Sequence, residues 1–368
     1  MNMAHSLLSP DLDLSALPSA VAETLVEFLD SRRELVYSID PRFGDVFESL
    51  QGFVLNGGKR VRPSFAWIGW LGADGAAGPE DPEAVFRAVS SLELIQACAL
   101  IHDDIIDSSD TRRGSPTVHR QFETLHRDNG WIGNRSHYGE SIAIIAGDVA
   151  LSWADDMFHA SGLSDAARNR ARDPWWRMRT EVLGGQVLDI TSEASGDTDL
   201  RTAEKINRFK TAAYTIERPL LIGAAIAHAS PEIVEAYRAY GRDIGIAFQL
   251  RDDQLGVFGD PAITGKPAGD DLREGKRTVL VSTALSRLQE KDPAGAAHLE
   301  ASLGTVADPD DIARLTELVR SSGAEEELEG MIQQLTRRGV DALKEAPILS
   351  EYRQTLTDMA DLVTQRAL

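Results

Sequence analysis

The chain has 368 residues, 42% of them hydrophobic and 6% aromatic, enough apolar mass for a sizeable core built by aliphatic helix packing rather than a β-sandwich. Its 58 acidic against 38 basic residues leave a formal net charge of −20, which excludes non-specific nucleic-acid binding, because phosphate contacts need a basic face. Any anionic substrate must be held by a local basic cluster or by metal ions.

The start, MNMAHSLLSPDLDLSALPSA, has no cationic segment ahead of its apolar residues and does not read as a secretory signal. Residues 1–19, with Pro10 and Pro18, read as a mobile arm. Residues 20–368 read as one large helical domain, since no Pro/Gly/Ser-rich linker or internal repeat divides them. Apolar positions recur at helical spacing from Val21 to Tyr37, from Pro63 to Leu71 and from Pro82 to Ile106, the last begun by an Asp81 cap and Pro82 in the first turn. Residues 112–136, holding Gly114, Pro116, Gly130 and Gly133, read mostly as loop with short helical pieces.

Helical periodicity resumes over Ser141–Phe158, Pro174–Leu188, Leu200–Ala229, Pro231–Leu255 and Lys276–Leu288, and from Pro309 onward. No clear hairpin signal is present. The segment from Gly259 to Lys276 reads as a loop and a candidate lid. The longest nearly apolar run, PLLIGAAIAHA from Pro219, is too short to span a bilayer. A single cysteine, Cys98, rules out an intrachain disulfide and fits a cytoplasmic location. The eight histidines show no HExxH or Cys/His pairing, which argues against zinc; His102 reads as a packed residue, as do Trp175 and Trp176.

Two acidic clusters interrupt apolar helices about 150 residues apart: Asp103, Asp104 and Asp107 in LIHDDIIDSSDTRRG, and Asp252 and Asp253 in FQLRDDQLGVFGD. Asp103 and Asp107 are one turn apart and project to one side, with Asp104 about 100° around the helix. Like charges at this spacing destabilise a helix by roughly 0.2–0.5 kcal/mol per pair, so the cluster calls for a cation. Carboxylates so placed suit hydrated Mg²⁺ shared with phosphate oxygens, and Arg112 and Arg113 beside them suit a second anion. In the second cluster Asp252 is the expected direct ligand, with Asp253 behind it. Gly256, four residues on, is expected to end or loosen the helix, leaving Asp260 open as a further carboxylate. Upstream, GGKRVRP places Lys59, Arg60 and Arg62 after two glycines at a helix start, the composition of an anion pocket.

These elements resemble the trans-isoprenyl diphosphate synthases, the polyprenyl synthetase family. GGKRVRP, LIHDDIIDSSDTRRG, GGQVLD at Gly184–Asp189, Lys210/Thr211, FQLRDDQLGVFGD and GKPAGDDLREGKRT arrive in that family's order between about Leu50 and Thr278. The resemblance implies an all-α, single large helical bundle of the isoprenoid synthase type with a central active-site cavity, Mg²⁺ as cofactor, and a homodimer. It implies that Lys59, Arg62, Gln96 and Arg113 hold isopentenyl diphosphate. The allylic diphosphate would be held through Mg²⁺ on Asp103, Asp107 and Asp252, with Arg112, Lys210, Lys266 and Lys276 helping. Lys210, Thr211 and Gln249 would face the carbocation. Family members often carry aspartate where Gly256 stands, which puts one metal contact in doubt.

The implied reaction ionises an allylic diphosphate, lets the double bond of isopentenyl diphosphate attack, and then loses a proton. Cys98 and Ala99, the small residues five and four before Asp103, stand where family members that stop at fifteen carbons tend to carry an aromatic, with Ile95 a candidate floor. This points to the twenty-carbon geranylgeranyl product, against farnesyl or longer products. A class I terpene cyclase has no use for the GGKRVRP pocket, and a non-catalytic regulatory subunit would be expected to lose the aspartates or the allylic lysine.

Overall fold

Helix starts follow capping chemistry that the sequence spells out. The computed structural model describes residues 14–260 and 268–365. They group into two compact units: residues up to Ala171 with Ile222–His228, and Arg172–Leu221 with Ala229 onward. The chain crosses from one to the other twice inside continuous helices and once in the short turn at His228, so no linker composition marks the division, and a single domain was the natural reading of the sequence.

The first unit holds α1 (Leu17–Ile39), α2 (Pro41–Leu55), α3 (Val61–Gly72), α4 (Pro82–Ser90), α5 (Leu92–Ile106), α6 (Val118–Asp128), α7 (Arg135–His159) and the start of α8 (Asp165–Ser195). Helix α1 begins at a buried Leu17, so helical structure reaches into the stretch expected to be a mobile arm; residues 1–13 lie outside the described residues. Helix α2 was not anticipated, although Asp40 caps it through the Arg42 amide and Pro41 opens its first turn. Asp81 caps α4 as expected, but α4 and α5 are separate helices joined at Ser91. The stretch Pro82–Ile106 is long and apolar enough to cross a membrane, yet 78% of its apolar window is buried inside the protein, as in a core helix. Its neighbours include Trp67, whose ring lies 4.9 Å from Trp70 and 5.0 Å, edge-on, from Phe86.

The second unit holds the rest of α8, then α9 (Leu200–Ile206), a π-helical segment (Asn207–Glu217), the start of α10 (Arg218–Ala227), α11 (Pro231–Phe258), α12 (Asp270–Glu274), α13 (Val279–Lys291), α14 (Pro293–Ser302), α15 (Pro309–Ser321), α16 (Ala324–Asp341) and α17 (Ser350–Thr364). Its core gathers Leu250 and Val257 of α11, Leu280 and Leu285 of α13, Leu315 and Val319 of α15, and Leu328 of α16. The π-helical segment packs against α11 through two glycines one turn apart. A Cβ on Gly241 would lie 2.5 Å from the Glu217 Cα, and one on Gly245 would lie 2.6 Å from the Ala212 Cα. Only glycine lets two backbones approach that closely.

Candidate active site

In the first unit, the GGKRVRP loop is shaped by three consecutive-region residues of positive φ: Gly57, Gly58 and Arg60, the last capping α3 at φ 48°. The three cations of the motif separate. Lys59 is exposed and Arg62 half-buried, whereas Arg60 turns inward and pairs with Glu93 of α5 at 2.6 Å. Arg113 reaches this loop from elsewhere, donating through Nη1 to the carbonyls of Asn56 (3.2 Å) and Gly57 (3.1 Å). It sits at the turn of a minimal hairpin, Thr111–Arg112 paired antiparallel with Ser115–Pro116, a feature the sequence analysis did not anticipate. Arg113 and Gly114 both take positive φ, 53° and 76°, as a two-residue primed turn requires. The usual Asn-Gly signal is absent, which is why the turn was missed.

Burial holds the Arg113 guanidinium below its ordinary pKa; Glu93 opposes this, while the charges of Arg60, Arg112 and Arg62 add to it. Mutual repulsion of this kind among guanidiniums is relieved by an anion. Gln96, half-buried on α5, lies one turn after Glu93.

The first acidic cluster closes α5. Asp103 and Asp107 are half-buried and Asp107 is the C-cap residue. Asp104, expected among the metal ligands, is 1% exposed and instead holds Arg112, whose Nη2 lies 2.6 Å from Oδ1 and whose Nε donates to the same oxygen at 2.7 Å. Arg112 also lies 4.0 Å from Asp103. The chemistry of the half-buried pair, carboxylate oxygens one turn apart, is of the kind that suits a hard cation. Among the described residues no group of three or more His, Cys, Asp or Glu is arranged as an ion cage.

Upstream on α5, Cys98 and Ile95 are buried and Ala99 is half-buried. The Cys98 Sγ lies 3.8 Å from His102 Nδ1, and burial, with the charge of Asp148, pushes the thiol up to about 12. His102 is packed as expected, 3.0 Å from the Ile144 carbonyl and against Gly147, where a Cβ would lie 2.1 Å from Nε2.

In the second unit, GGQVLD explains itself through the π-helical segment. A Cβ on Gly185 would lie 2.4 Å from the Lys210 amide nitrogen, so α8 and that segment touch backbone to backbone, and Asp189, one turn later, pairs with Lys210 Nζ at 2.5 Å. Thr211 follows half-buried. Turns of i→i+5 geometry are rare and concentrate at functional sites.

Helix α11 runs through Gly256 to Phe258, contrary to the expected break, and Asp260 is exposed beyond the Gly259 cap, so it does not continue the acidic face. Asp252 is half-buried. Asp253 is 1% exposed and accepts from Gln249 Nε2 at 2.7 Å and Asn207 Nδ2 at 3.4 Å. Gln249, expected to face a cation, is therefore engaged with this carboxylate. Burial, then the nearby Asp271 and Asp252 charges, push Asp253 up to about 7 against those two hydrogen bonds. Lys276 Nζ pairs with Glu274 at 2.6 Å, and Lys266 lies outside the described residues, as do residues 261–267 of the expected lid.

The polyprenyl synthetase family model matches residues 45–320, which takes in every motif described above from Gly57 to Lys276. This chain belongs to the polyprenyl synthetase family. It is a trans-prenyltransferase of all-α fold. The geranylfarnesyl diphosphate synthase of Aeropyrum pernix is 34% identical over 314 residues, 84% of this chain and 91% of that protein. The geranylgeranyl diphosphate synthase of Saccharolobus solfataricus is 28% identical, over 84% of this chain and 87% of that one. A crystal structure of geranylgeranyl pyrophosphate synthase from Corynebacterium glutamicum, complexed with isoprenyl diphosphate and magnesium, superposes with a TM-score of 0.95 at 54% identity, covering 97% and 100% of the two chains.

At Gly256, where the resemblance put one metal contact in doubt, the structure shows what lies beside the backbone. A Cβ there would lie 2.0 Å from Oδ2 of Asp271, so the Asp271 carboxylate occupies the space that a side chain at 256 would enter. Sequence reasoning also missed Glu93 and Asp189, the acidic partners of Arg60 and Lys210. Their signal was only their helical register with the motifs, three residues before Gln96 and four after Gly185.

Proposed function

We propose that the chain condenses isopentenyl diphosphate with an allylic diphosphate (dimethylallyl, geranyl or farnesyl) head-to-tail, giving geranylgeranyl diphosphate as an all-trans product. The docking of Arg113 onto the glycine loop carries this reading. It assembles a basic cradle apart from any carboxylate that would bind metal, as a reaction between two diphosphates requires. Lys59, Arg62, Arg113 and Gln96 hold isopentenyl diphosphate. Asp103, Asp107 and Asp252 would hold Mg²⁺, which when bound would neutralise charge on the diphosphate leaving group. Arg112, oriented by Asp104, adds a fixed cation near Asp103, and Lys210, Lys266 and Lys276 are further donors. At about 4 Å and an effective dielectric of ~20, each such contact contributes on the order of 4 kcal/mol before desolvation. Buried Asp253, hydrogen-bonded by Gln249, steadies α11 behind Asp252.

The twenty-carbon product rests on Cys98 and Ala99, with similarity to geranylgeranyl synthases in support. Incubating the pure protein with Mg²⁺, isopentenyl diphosphate and each allylic starter, followed by product chain-length analysis, tests it; absence of a twenty-carbon product overturns it. Of the two small residues, half-buried Ala99 is the one an aromatic enters with less repacking. Ala99→Phe is expected to shorten the main product by one isoprene unit. Cys98→Phe should shorten it too, with an overpacking cost of about 1–3 kcal/mol visible as a lower Tm, because the thiol is buried against His102.

A homodimer in the cytoplasm completes the reading. On α8, Trp176, Leu183, Val187 and Ile190 are exposed, at successive spacings of seven, four and three residues, a stripe along one helix face. Trp176, expected to be packed like buried Trp175, is part of it, with the Arg172 guanidinium 4.8 Å from its ring. Leu183→Glu combined with Val187→Glu should turn a dimer into a monomer in sedimentation velocity; an unchanged sedimentation coefficient would place the interface elsewhere.

A further inference from the structure

We infer that the buried Arg60–Glu93 pair is a positioning device for the isopentenyl diphosphate cradle, a role that rests on the function proposed above. Arg60 is the one cation of GGKRVRP that the binding chemistry leaves unused. It is 5% exposed and Glu93 is 6% exposed, so neither is a solvated surface charge. The guanidinium is held at two points: Nη1 on Glu93 Oε2 at 2.6 Å and Nη2 on the Val54 carbonyl at 2.7 Å. Its own carbonyl accepts from Ser64 Oγ at 2.8 Å.

Those contacts join three elements. Val54 ends α2, Arg60 caps α3 in a left-handed conformation that a non-glycine residue adopts only when its surroundings enforce it, and Glu93 lies in the first turn of α5. Each residue of the cradle hangs from one of these points. Lys59 and Arg62 flank Arg60, Gln96 is one turn after Glu93, and Arg113 grips the carbonyls of Asn56 and Gly57 in the same loop. With Arg60 turned inward by its carboxylate partner, Lys59 on one side is directed to solvent. Glu93 also supplies a negative charge beneath a group of guanidiniums, which lets Arg62 and Arg113 stand close before a diphosphate arrives. A buried pair of this kind adds little net stability over apolar residues of similar volume, and its retention is best explained by the geometry it imposes.

The test uses the full-length enzyme and three variants: Glu93→Gln, the apolar double Arg60→Met with Glu93→Leu, and the charge swap Arg60→Glu with Glu93→Arg. Thermal unfolding is followed alongside steady-state kinetics on each substrate. The expected result for Glu93→Gln and the apolar double is a KM for isopentenyl diphosphate raised tenfold or more, with kcat and the KM for the allylic diphosphate within about twofold of wild type. The swap should recover at least a third of the lost affinity. A folded apolar double with wild-type KM for isopentenyl diphosphate overturns the inference, as does an equal rise in both KM values. Failure of the wild-type enzyme to join the two diphosphates would instead overturn the functional proposal.

Discussion

Asp103→Ala is expected to lower kcat by roughly 10³ while leaving thermal stability nearly unchanged, whereas Asp104→Ala, one residue on, should do the reverse in kind. Asp103 is half-buried at the end of α5, a turn from Asp107, and its neighbour Arg112 is 4.0 Å away, so its removal costs no core packing. On the function proposed above it would remove a hold on the cation that offsets the leaving group's charge, and a single preorganised electrostatic contact of this kind is worth about 10²–10³ in rate. Asp104 is 1% exposed and anchors Arg112 through both Nε and Nη2. Deleting it strands a guanidinium that is mostly buried. Breaking a buried pair costs about 3–5 kcal/mol, and Arg112, still 21% exposed, should place this case near the lower end. Single-turnover rates with saturating Mg²⁺, set beside Tm values, separate the two. Equal loss of rate in both variants without a change in Tm would mean that Asp104 binds metal after all.

Placing a carboxylate at position 256 should damage this enzyme. In Gly256→Asp the new Cβ would meet Asp271 Oδ2 at 2.0 Å, and the new charge would stand against both Asp271 and the buried Asp253. Overpacking alone costs about 1–3 kcal/mol, and a displacement of about 1 Å at a reacting centre can cost 10²-fold in rate. A fall in kcat/KM of about 10² is expected. Adding Asp271→Ala should relieve the clash and recover at least tenfold, because the two side chains compete for one space. If Gly256→Asp alone matched wild type in rate and Tm, Asp271 would be shown to move aside freely and the packing account would fail.

The sequence carried the motifs and most helices for local reasons. Asp81, Ser230 and Asn134 sit where caps belong, and each accepts from an amide of the next turn. Apolar spacing marked α1, α11 and α13 to within four residues at either end, and α7 at its end but six residues late at its start. The misses have physical causes. Helix α2 was overlooked although Asp40 and Pro41 announce it; the hairpin at Arg113–Gly114 lacks the usual turn residues and owes its left-handed arginine to carbonyls more than fifty positions away. The π-helical geometry of Asn207–Glu217 has no local signature, because it is set by the glycines of α8 and α11 pressed against it.

The residues by themselves called for a cation beside the aspartates and an anion beside the GGKRVRP cations, since charged groups embedded in apolar helices are costly unless a partner meets them; the reaction class came from the resemblance of the ordered motifs to a known family. Which charge faces inward was decided only by tertiary structure. Asp103 and Asp104 are adjacent and chemically alike, as are Lys59 and Arg60. One member of each pair is turned toward a buried partner by helix phase or backbone conformation, and that partner lies far away in sequence or in a loop whose shape the fold imposes.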